Sequence, residues 1–216
     1  MKRNNIVKQK TMTGKPSVGS WNMIGHPFVT QILADAGFDW IVFDLEHGSF
    51  RFDQIASHCQ LLEGKGIIPF CRLPGLQPEY FKWALDSGCQ GVLVPLVRTK
   101  EDAEQSVRYS KYPPQGQRGI ALTRVHGFGK TFDAYAANAN QETMVVLMIE
   151  HVEAVERIDE ILGVPDVDAV FIGPYDLSGS MGLMGQLHHP KVEAACNHVK
   201  TAAIEKGIAA GLHIVE

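Results

Sequence analysis

The sequence predicts an α/β fold, namely a (β/α)8 barrel that lacks its last β/α unit. Short apolar segments alternate with amphipathic segments along the chain, the connections between them are mostly short, and the apolar segments are uniformly apolar. Such strands are buried on both faces, and alternation with helices through short connections gives a parallel sheet. A doubly wound sheet is the alternative, but the Gly-x-Gly-x-x-Gly turn expected after its first strand is missing.

Composition and charge indicate one globular domain. The chain has 216 residues, 45% of them hydrophobic, and a net charge of −4, so we expect a single domain over residues 1–216. The mild acidity argues against nucleic acid and membrane surfaces as partners, and no apolar run is long enough to span a bilayer. Four scattered cysteines and a basic N-terminus without a following apolar segment favour a cytoplasmic location.

The predicted strands are runs rich in β-branched, aromatic or other apolar residues. Most are too short for a helix and are bounded by glycine, proline or charged residues. They cover residues 18–24, 40–43, 67–71, 91–97, 144–149, 168–172 and 207–214.

The predicted helices have apolar residues at three- and four-residue spacing. They cover residues 28–36, 52–63, 78–88, 99–111, 152–162 and 191–206, whereas 112–140 is expected to be irregular. The first helix has an apolar face made of Phe28, Ile32, Leu33 and Ala36. Pro78 begins the third helix, Thr99 caps the fourth, and His188-His189-Pro190 is interpreted as a turn before the last helix, not as a metal tract.

Four of the predicted strands are followed by ionisable side chains. These are Glu46 and His47, Arg72, Glu150, and Asp176. In a parallel barrel such strand ends lie on one face, so we expect these side chains to converge there. They also have a purely structural interpretation, since Glu150 and Asp176 could be acids in the first turns of the helices that follow.

The residue types predict enolate chemistry on a small anionic keto acid. Two carboxylates without a local basic partner suit a hard divalent ion, and Arg72 offers donors to a carboxylate or an oxyanion. His47 suits a general base, with a third metal ligand as the alternative. No lysine ends a predicted strand, so a Schiff-base mechanism has no obvious nucleophile.

Four segments resemble the HpcH/HpaI aldolase family, and together they extend over almost the whole chain. They are residues 38–47 (FDWIVFDLEH), 92–97 (VLVPLV), 112–119 (YPPQGQRG) and 170–178 (VFIGPYDLS). The resemblance implies a TIM barrel and a class II aldolase, a carbon–carbon lyase that reversibly cleaves a 4-hydroxy-2-oxo acid to pyruvate and an aldehyde. It also implies a divalent metal ion (Mg²⁺, Mn²⁺ or Co²⁺) and a homo-oligomer, hexameric or trimer-based.

The resemblance also implies roles for individual residues. Glu150 and Asp176 match the metal ligands, and His47 matches the catalytic base. Asp86 matches an aspartate that partners this base, and Arg72 matches the residue that binds pyruvate and stabilises its enolate.

Further residues are expected around this centre. Gly173 matches a position that lines the pyruvate pocket, and Trp21 either lines the pocket or fills the barrel floor. Asp44 and Glu46 are interpreted as groups that orient water, Arg72 or His47 and not as metal ligands. Arg124, His126 and Phe128 belong either to a loop that closes over the aldehyde end of the substrate or to a plain surface loop.

Three departures from the family pattern leave other functions open. Met148 stands where many members have glutamine, Tyr175 replaces a small residue, and the chain ends after its seventh predicted strand. One alternative is a citramalyl- or malyl-CoA-type lyase, or a decarboxylating relative, on the same barrel. Another is a catalytically impaired paralogue that acts as a binding or assembly subunit.

Overall fold

A curled parallel sheet of seven strands is the framework of the protein. The computed structural model describes residues 4–214, so residues 1–3 and 215–216 of the predicted domain lie outside the described part. Each strand pairs in parallel with the next one in sequence. The strands are β1 (Gly19–Asn22), β2 (Trp40–Asp44), β3 (Ile68–Arg72), β4 (Gly91–Val94), β5 (Met144–Ile149), β6 (Ala169–Ile172) and β7 (Ala209–Leu212). The predicted α/β architecture with parallel strands is confirmed.

Most helices connect the strands and cover the outer face of the sheet, whereas the first helix precedes β1 and packs into the inside of the curl through Val7. They are α1 (Ile6–Met12), α2 (Pro27–Asp35), α3 (Phe52–Leu62), α4 (Pro78–Ser87), α5 (Lys100–Ser110), α6 (Phe132–Glu142), α7 (Val152–Glu156), α8 (Ile158–Ile161), α9 (Pro174–Ser180) and α10 (Pro190–Glu205), with a 3₁₀ turn at Arg124–His126. Thr99 caps α5 as predicted, because its hydroxyl accepts a hydrogen bond from the Asp102 backbone N–H at 3.2 Å. Within the described residues, no helix combines the length and apolar character needed to cross a bilayer.

Several helices differ from the predictions. The predicted helix 152–162 is interrupted at Arg157, between α7 and α8. Helix α1 was not predicted because it is short and largely polar, and its stability depends on tertiary contacts such as the buried Val7. Helix α6 lies in the segment that was expected to be irregular. Among its described residues only Ala139 is buried, so the segment has no apolar periodicity from which a helix could be predicted.

The predicted apolar face of α2 is only partly correct. Leu33 packs against the core. Phe28 and Ile32 are 67% and 69% exposed and Ala36 is exposed as well, whereas Thr30 and Ala34 are buried. The Thr30 hydroxyl accepts a hydrogen bond from Asn22 Nδ2 at 2.9 Å and lies 2.6 Å from His58 Nδ1. Because its hydrogen-bonding capacity is satisfied, a threonine occupies the core position that hydrophobicity assigns to an apolar residue.

The sheet separates two apolar clusters. The larger one lies between the sheet and the outer helices, and the smaller one fills the inside of the curl, where Val42, Phe70 and Phe171 meet Val7 of α1. The Trp21 ring of β1 lies 5.6 Å from the Phe171 ring of β6, which shows how strongly the sheet curls. Since all strands are parallel, their carboxyl ends form one rim, and the helices that follow return to the opposite end.

Candidate active site

Arg72 is held at the end of β3 by a buried carboxylate. Its Nε and Nη2 donate to Asp44 Oδ1 and Oδ2 at 2.8 and 2.5 Å, with the two side chains 10% and 0% exposed. Asp44 and Arg72 are register partners in β2 and β3, so the ladder itself sets them side by side. Burial alone would raise the pKa of Asp44, but the Arg72 guanidinium and the backbone N–H groups of Glu46 and His47 more than offset this and lower it. Asp44 therefore fixes the orientation of the Arg72 guanidinium and occupies its Nε–Nη2 edge, the fork of this side chain.

Glu46 and His47 lie in the turn that follows β2. Both backbone N–H groups donate to Asp44 Oδ1, at 3.1 and 3.2 Å, so the same carboxylate shapes this turn and holds Arg72. Glu46 Oε2 lies 3.2 Å from Arg72 Nη1, but it is buried and has no partner with hydrogen-bond geometry. Burial raises the pKa of Glu46, and the nearby charge of Asp176 adds to the shift. The His47 side chain is 59% exposed, and its Nε2 lies 4.0 Å from Glu46 Oε1.

Glu150 is placed by the turn after β4 and by Gly173. Its Oε1 accepts the Leu96 backbone N–H at 2.7 Å, and Leu96 has the left-handed φ of 57°, which is strained for a leucine and directs this donor. A Cβ at Gly173 would lie 3.0 Å from Glu150 Cβ and 3.1 Å from Oε2, so the glycine makes room for the carboxylate. Burial raises the pKa of Glu150, and the charges of Glu46 and Asp176 raise it further.

The residues present fit a divalent cation held by few protein ligands. Asp176, in the first turn of α9, acts electrostatically on both Glu46 and Glu150, so three carboxylates share one region. Nevertheless, among residues 4–214 no group of three or more His, Cys, Asp or Glu side chains has the arrangement of a complete metal site. Glu150 and Asp176 could hold an ion that keeps water and substrate oxygens as its other ligands, as Mg²⁺ often does.

A cavity of about 710 Å³ opens at this rim of the sheet. Its lining includes Asp44, His47, Arg72, Gly173 and Asp176, with Trp21, Met148 and Tyr175. Glu150 is only 3% exposed and lies behind Gly173. The Trp21 ring packs under the Arg72 guanidinium carbon at 4.6 Å, so Trp21 lines the cavity and does not fill the opposite floor.

Asp86 does not meet His47 within the chain. It lies in the last turn of α4, which runs from the carboxyl end of β3 back to the amino end of β4. There its Oδ1 accepts a hydrogen bond at 2.6 Å from Nη2 of Arg118, a residue whose side chain is fully buried. The predicted partnership of Asp86 with His47 is therefore not made between residues of one chain.

Residues 124–128 also lie at the far end of the sheet. Arg124 Nη2 donates to the Ser87 carbonyl at the end of α4, and the His126 side chain is buried. Of the two alternatives predicted for this segment, closure over the aldehyde end of the substrate is therefore not made within one chain.

His213, which directly follows β7, is absent from the sequence-based prediction. It lines the same cavity, and its ring lies 5.5 Å from the Trp21 ring. Burial lowers the pKa of His213, and the positive charge of Arg72 lowers it further. One signal in the sequence could have found it. Ala209, Gly211 and His213 have the two-residue spacing that places side chains on one face of the last predicted strand.

Comparisons with known proteins show the family of the chain. The family model described as HpcH/HpaI aldolase/citrate lyase matches residues 18–215. A 5-keto-4-deoxy-D-glucarate aldolase of Escherichia coli O139:H28 (strain E24377A / ETEC) is 35% identical over 196 residues, which are 90% of this chain and 76% of that protein.

Two solved structures are similar over 97% of this chain. An HpcH/HpaI aldolase/citrate lyase family protein from Burkholderia cenocepacia J2315 is 32% identical with a TM-score of 0.92, and 84% of it is covered. An HpcH/HpaI aldolase from Desulfitobacterium hafniense DCB-2 is 35% identical with a TM-score of 0.90, and 82% of it is covered. The chain is an enzyme of the aldolase and lyase class, and it belongs to the HpcH/HpaI aldolase/citrate lyase family.

Proposed function

We propose that the chain catalyses the reversible, metal-dependent cleavage of a 4-hydroxy-2-oxo acid to pyruvate and an aldehyde. The observation that carries this proposal is the arrangement of Arg72, His47 and Asp176 around one cavity, with the Glu150 carboxylate directly behind Gly173. A fixed guanidinium and a carboxylate pair suit an anionic keto acid whose carbonyl becomes an enolate. The similarity to 5-keto-4-deoxy-D-glucarate aldolase supports a substrate of the sugar-acid type.

Arg72 stabilises the enolate oxygen with the donors that it has left. A guanidinium has five N–H bonds, and Asp44 accepts from two of the nitrogens while Glu46 approaches the third. Because Asp44 accepts from Nε and from one N–H of Nη2, Arg72 has the other Nη2 N–H and the two N–H groups of Nη1 to offer to a substrate. Its orientation is fixed before the substrate arrives, which favours stabilisation of a charge that develops during the reaction.

We propose Glu150 and Asp176 as the residues that hold a divalent ion, Mg²⁺, Mn²⁺ or Co²⁺. When bound, such an ion supplies a Lewis acid next to the keto group. The Leu96 N–H holds Glu150 Oε1 in position, which leaves Oε2 as the free oxygen of this carboxylate. The mutual repulsion of Glu46, Glu150 and Asp176 supports the proposal, because a cation in this region would relieve it.

His47 acts as the general base on the substrate's C4 hydroxyl. Its ring lies at the cavity rim, and it accepts the hydroxyl proton as the C3–C4 bond breaks. Asp86 of the same chain is at the other end of the sheet, so a partnership of Asp86 with His47 requires a second copy of the chain. We propose a homo-oligomer, hexameric or trimer-based, and such an assembly would supply that copy.

The proposal extends to the whole fold and its location. We propose that the curled sheet is the greater part of a (β/α)8 barrel, since its strands follow one another in sequence order with helices on the outside. The burial of Cys71 and the absence of a Cys-x-x-Cys pair from the sequence support a reducing cytoplasm.

A CoA-dependent lyase activity has less support. The phosphates of CoA call for a cluster of basic side chains. Among the described residues that line the cavity, Arg72 is the one arginine, and there is no lysine. Because Asp44 already neutralises Arg72, this cavity offers little attraction for additional phosphate groups.

Pyruvate release from 4-hydroxy-2-oxo acids tests the proposal, with Mg²⁺ or Mn²⁺ and then with excess EDTA. We expect metal-stimulated release by the wild type and its loss in Glu150→Gln, which keeps the shape of the side chain and removes its charge. Glu153→Gln, in the first turn of α7, is the matched control, because this residue lies only three positions away in an exposed ion pair with Arg157. His47→Ala should lose most of the rate and keep metal binding by calorimetry. If no 4-hydroxy-2-oxo acid yields pyruvate with any of these metals, the proposal is wrong.

A further inference from the structure

The register of the sheet assigns His213 to the inner face of the barrel rim. Phe171 of β6 pairs with Gly211 of β7, and Gly211 faces inward, because a Cβ there would meet the Phe171 ring at 2.6 Å. Two residues further along the chain, just after the ends of β6 and β7, Gly173 and His213 continue this inward alternation. His213 therefore faces the same cavity as Arg72 of β3.

Contacts of the imidazole agree with this placement. Its ring lies 5.5 Å from the Trp21 ring, and Trp21 in turn packs under Arg72. His213 is exposed, whereas Arg72 is 8% exposed, although both line the cavity of about 710 Å³. Arg72 is thus at the bottom of the cavity and His213 is nearer its opening.

His213 is one of the described side chains that line the cavity and can donate a hydrogen bond to the far end of a substrate. Asp44 already accepts from two nitrogens of Arg72, and Tyr175, at the start of α9, also lines the cavity. Burial and the nearby charge of Arg72 both lower the pKa of His213, which favours the neutral imidazole. A neutral imidazole has one N–H donor and one acceptor nitrogen, which suits a carboxylate or a hydroxyl and not a hydrocarbon.

We propose that His213 contacts the substrate and selects 4-hydroxy-2-oxo acids with a carboxylate or hydroxyl on the part that leaves as the aldehyde. The proposal rests on the proposed function for the position of the keto-acid end, which lies at Arg72. With that end at the bottom of the cavity, a substrate chain that extends to the opening passes His213. A hydrogen bond there would make an acidic or hydroxylated tail bind more tightly than an alkyl tail of equal length.

Binding of two uncleavable probes tests this without turnover. We would titrate 2-oxoadipate and 2-oxohexanoate by calorimetry in the presence of Mg²⁺, since these acids have equal chain length, differ at the far end, and lack a C4 hydroxyl. The wild type should bind 2-oxoadipate about tenfold more tightly, as expected for one hydrogen bond to a charged group. His213→Leu should abolish this preference, and His213→Gln, which keeps an N–H donor, should retain part of it.

The control is His188→Leu, in the turn before α10, where the side chain is 94% exposed. It should leave the preference intact. A wild type that binds neither probe, or a preference that persists in His213→Leu, overturns the proposal. If the wild type releases no pyruvate but still prefers 2-oxoadipate, and His213→Leu abolishes this preference, only the proposed reaction is contradicted.

Discussion

The buried pair of Asp44 and Arg72 should dominate the stability of the active-site rim. Three hydrogen bonds converge on Asp44 Oδ1, from Arg72 Nε and from the backbone N–H groups of Glu46 and His47, and one from Arg72 Nη2 reaches Oδ2. In Asp44→Asn, the amide oxygen can keep the bonds to Oδ1. The amide nitrogen then faces Arg72 Nη2, where two donors oppose each other and the guanidinium loses its buried counter-charge. Removal of one partner from a buried pair typically costs 3–5 kcal/mol, and since most bonds persist we expect a loss of about 3 kcal/mol.

Urea denaturation followed by tryptophan fluorescence at pH 7 measures this loss. The chain provides a matched control, because Arg51 and Asp53 form the same two-bond contact at 3.0 and 2.9 Å with side chains that are 72% and 65% exposed. Asp53→Asn should leave the free energy of unfolding unchanged within error. Because the folded pKa of Asp44 is lowered, its contribution is complete above the unfolded value near pH 4 and is lost as the pH falls through the folded value. A loss below about 1 kcal/mol at pH 7, the range of an exposed pair, would refute the reasoning.

Two further predictions concern His58 and Gly173. Burial lowers the folded pKa of His58, and the charge of His26 adds to this. The unfolded chain therefore binds the proton more readily, and the free energy of unfolding should decrease as the pH falls below about 6.5. His58→Leu should flatten this dependence in urea titrations at several pH values, and an unchanged slope would contradict the assignment. Gly173→Ala places a Cβ 3.1 Å from Glu150 Oε2, so metal-dependent turnover should fall at least about tenfold. Gly179→Ala in α9, where a Cβ meets nothing within 4 Å, should be close to wild type, and equal activity of the two variants would argue against the role of Gly173.

The strands and the residues at their ends could be predicted because local sequence determines both. Strand β5 has the predicted bounds, 144–149, since a uniformly apolar run buried on both faces is unambiguous. Arg72 and Asp176 appear on the same rim as expected, because parallel strands leave no other arrangement for their carboxyl ends. The turn after β4 was less predictable, since the predicted strand 91–97 stops at Val94 and the left-handed Leu96 has no sequence signature.

Features that depend on a partner in space could not be predicted. Thr30 lies in the core because His58 and Asn22 satisfy its hydroxyl, and neither residue is adjacent to it in sequence. Asp86 was assigned by resemblance, but the direction of α4 takes it away from His47 and towards the buried Arg118. His213 was overlooked because it follows a strand of small residues, whose inward side became clear only from the pairing of β7 with β6.

The charge balance of the rim gives a physical reason for linking metal and substrate binding. Asp44, Glu46, Glu150 and Asp176 outnumber Arg72. Burial is the main cause of the raised pKa values of Glu46 and Glu150, and the charge of Asp176 adds to both. An anionic keto acid entering such a site is repelled unless the excess negative charge is reduced. Two protons or one divalent cation would each cancel two of these charges, but protonated carboxylates would not polarise a keto group as a cation does. The carboxylates that disfavour pyruvate at the rim would therefore make the affinity of the protein for pyruvate depend on the proposed cation. Titration of pyruvate with and without Mg²⁺ should reveal this coupling as a difference in Kd.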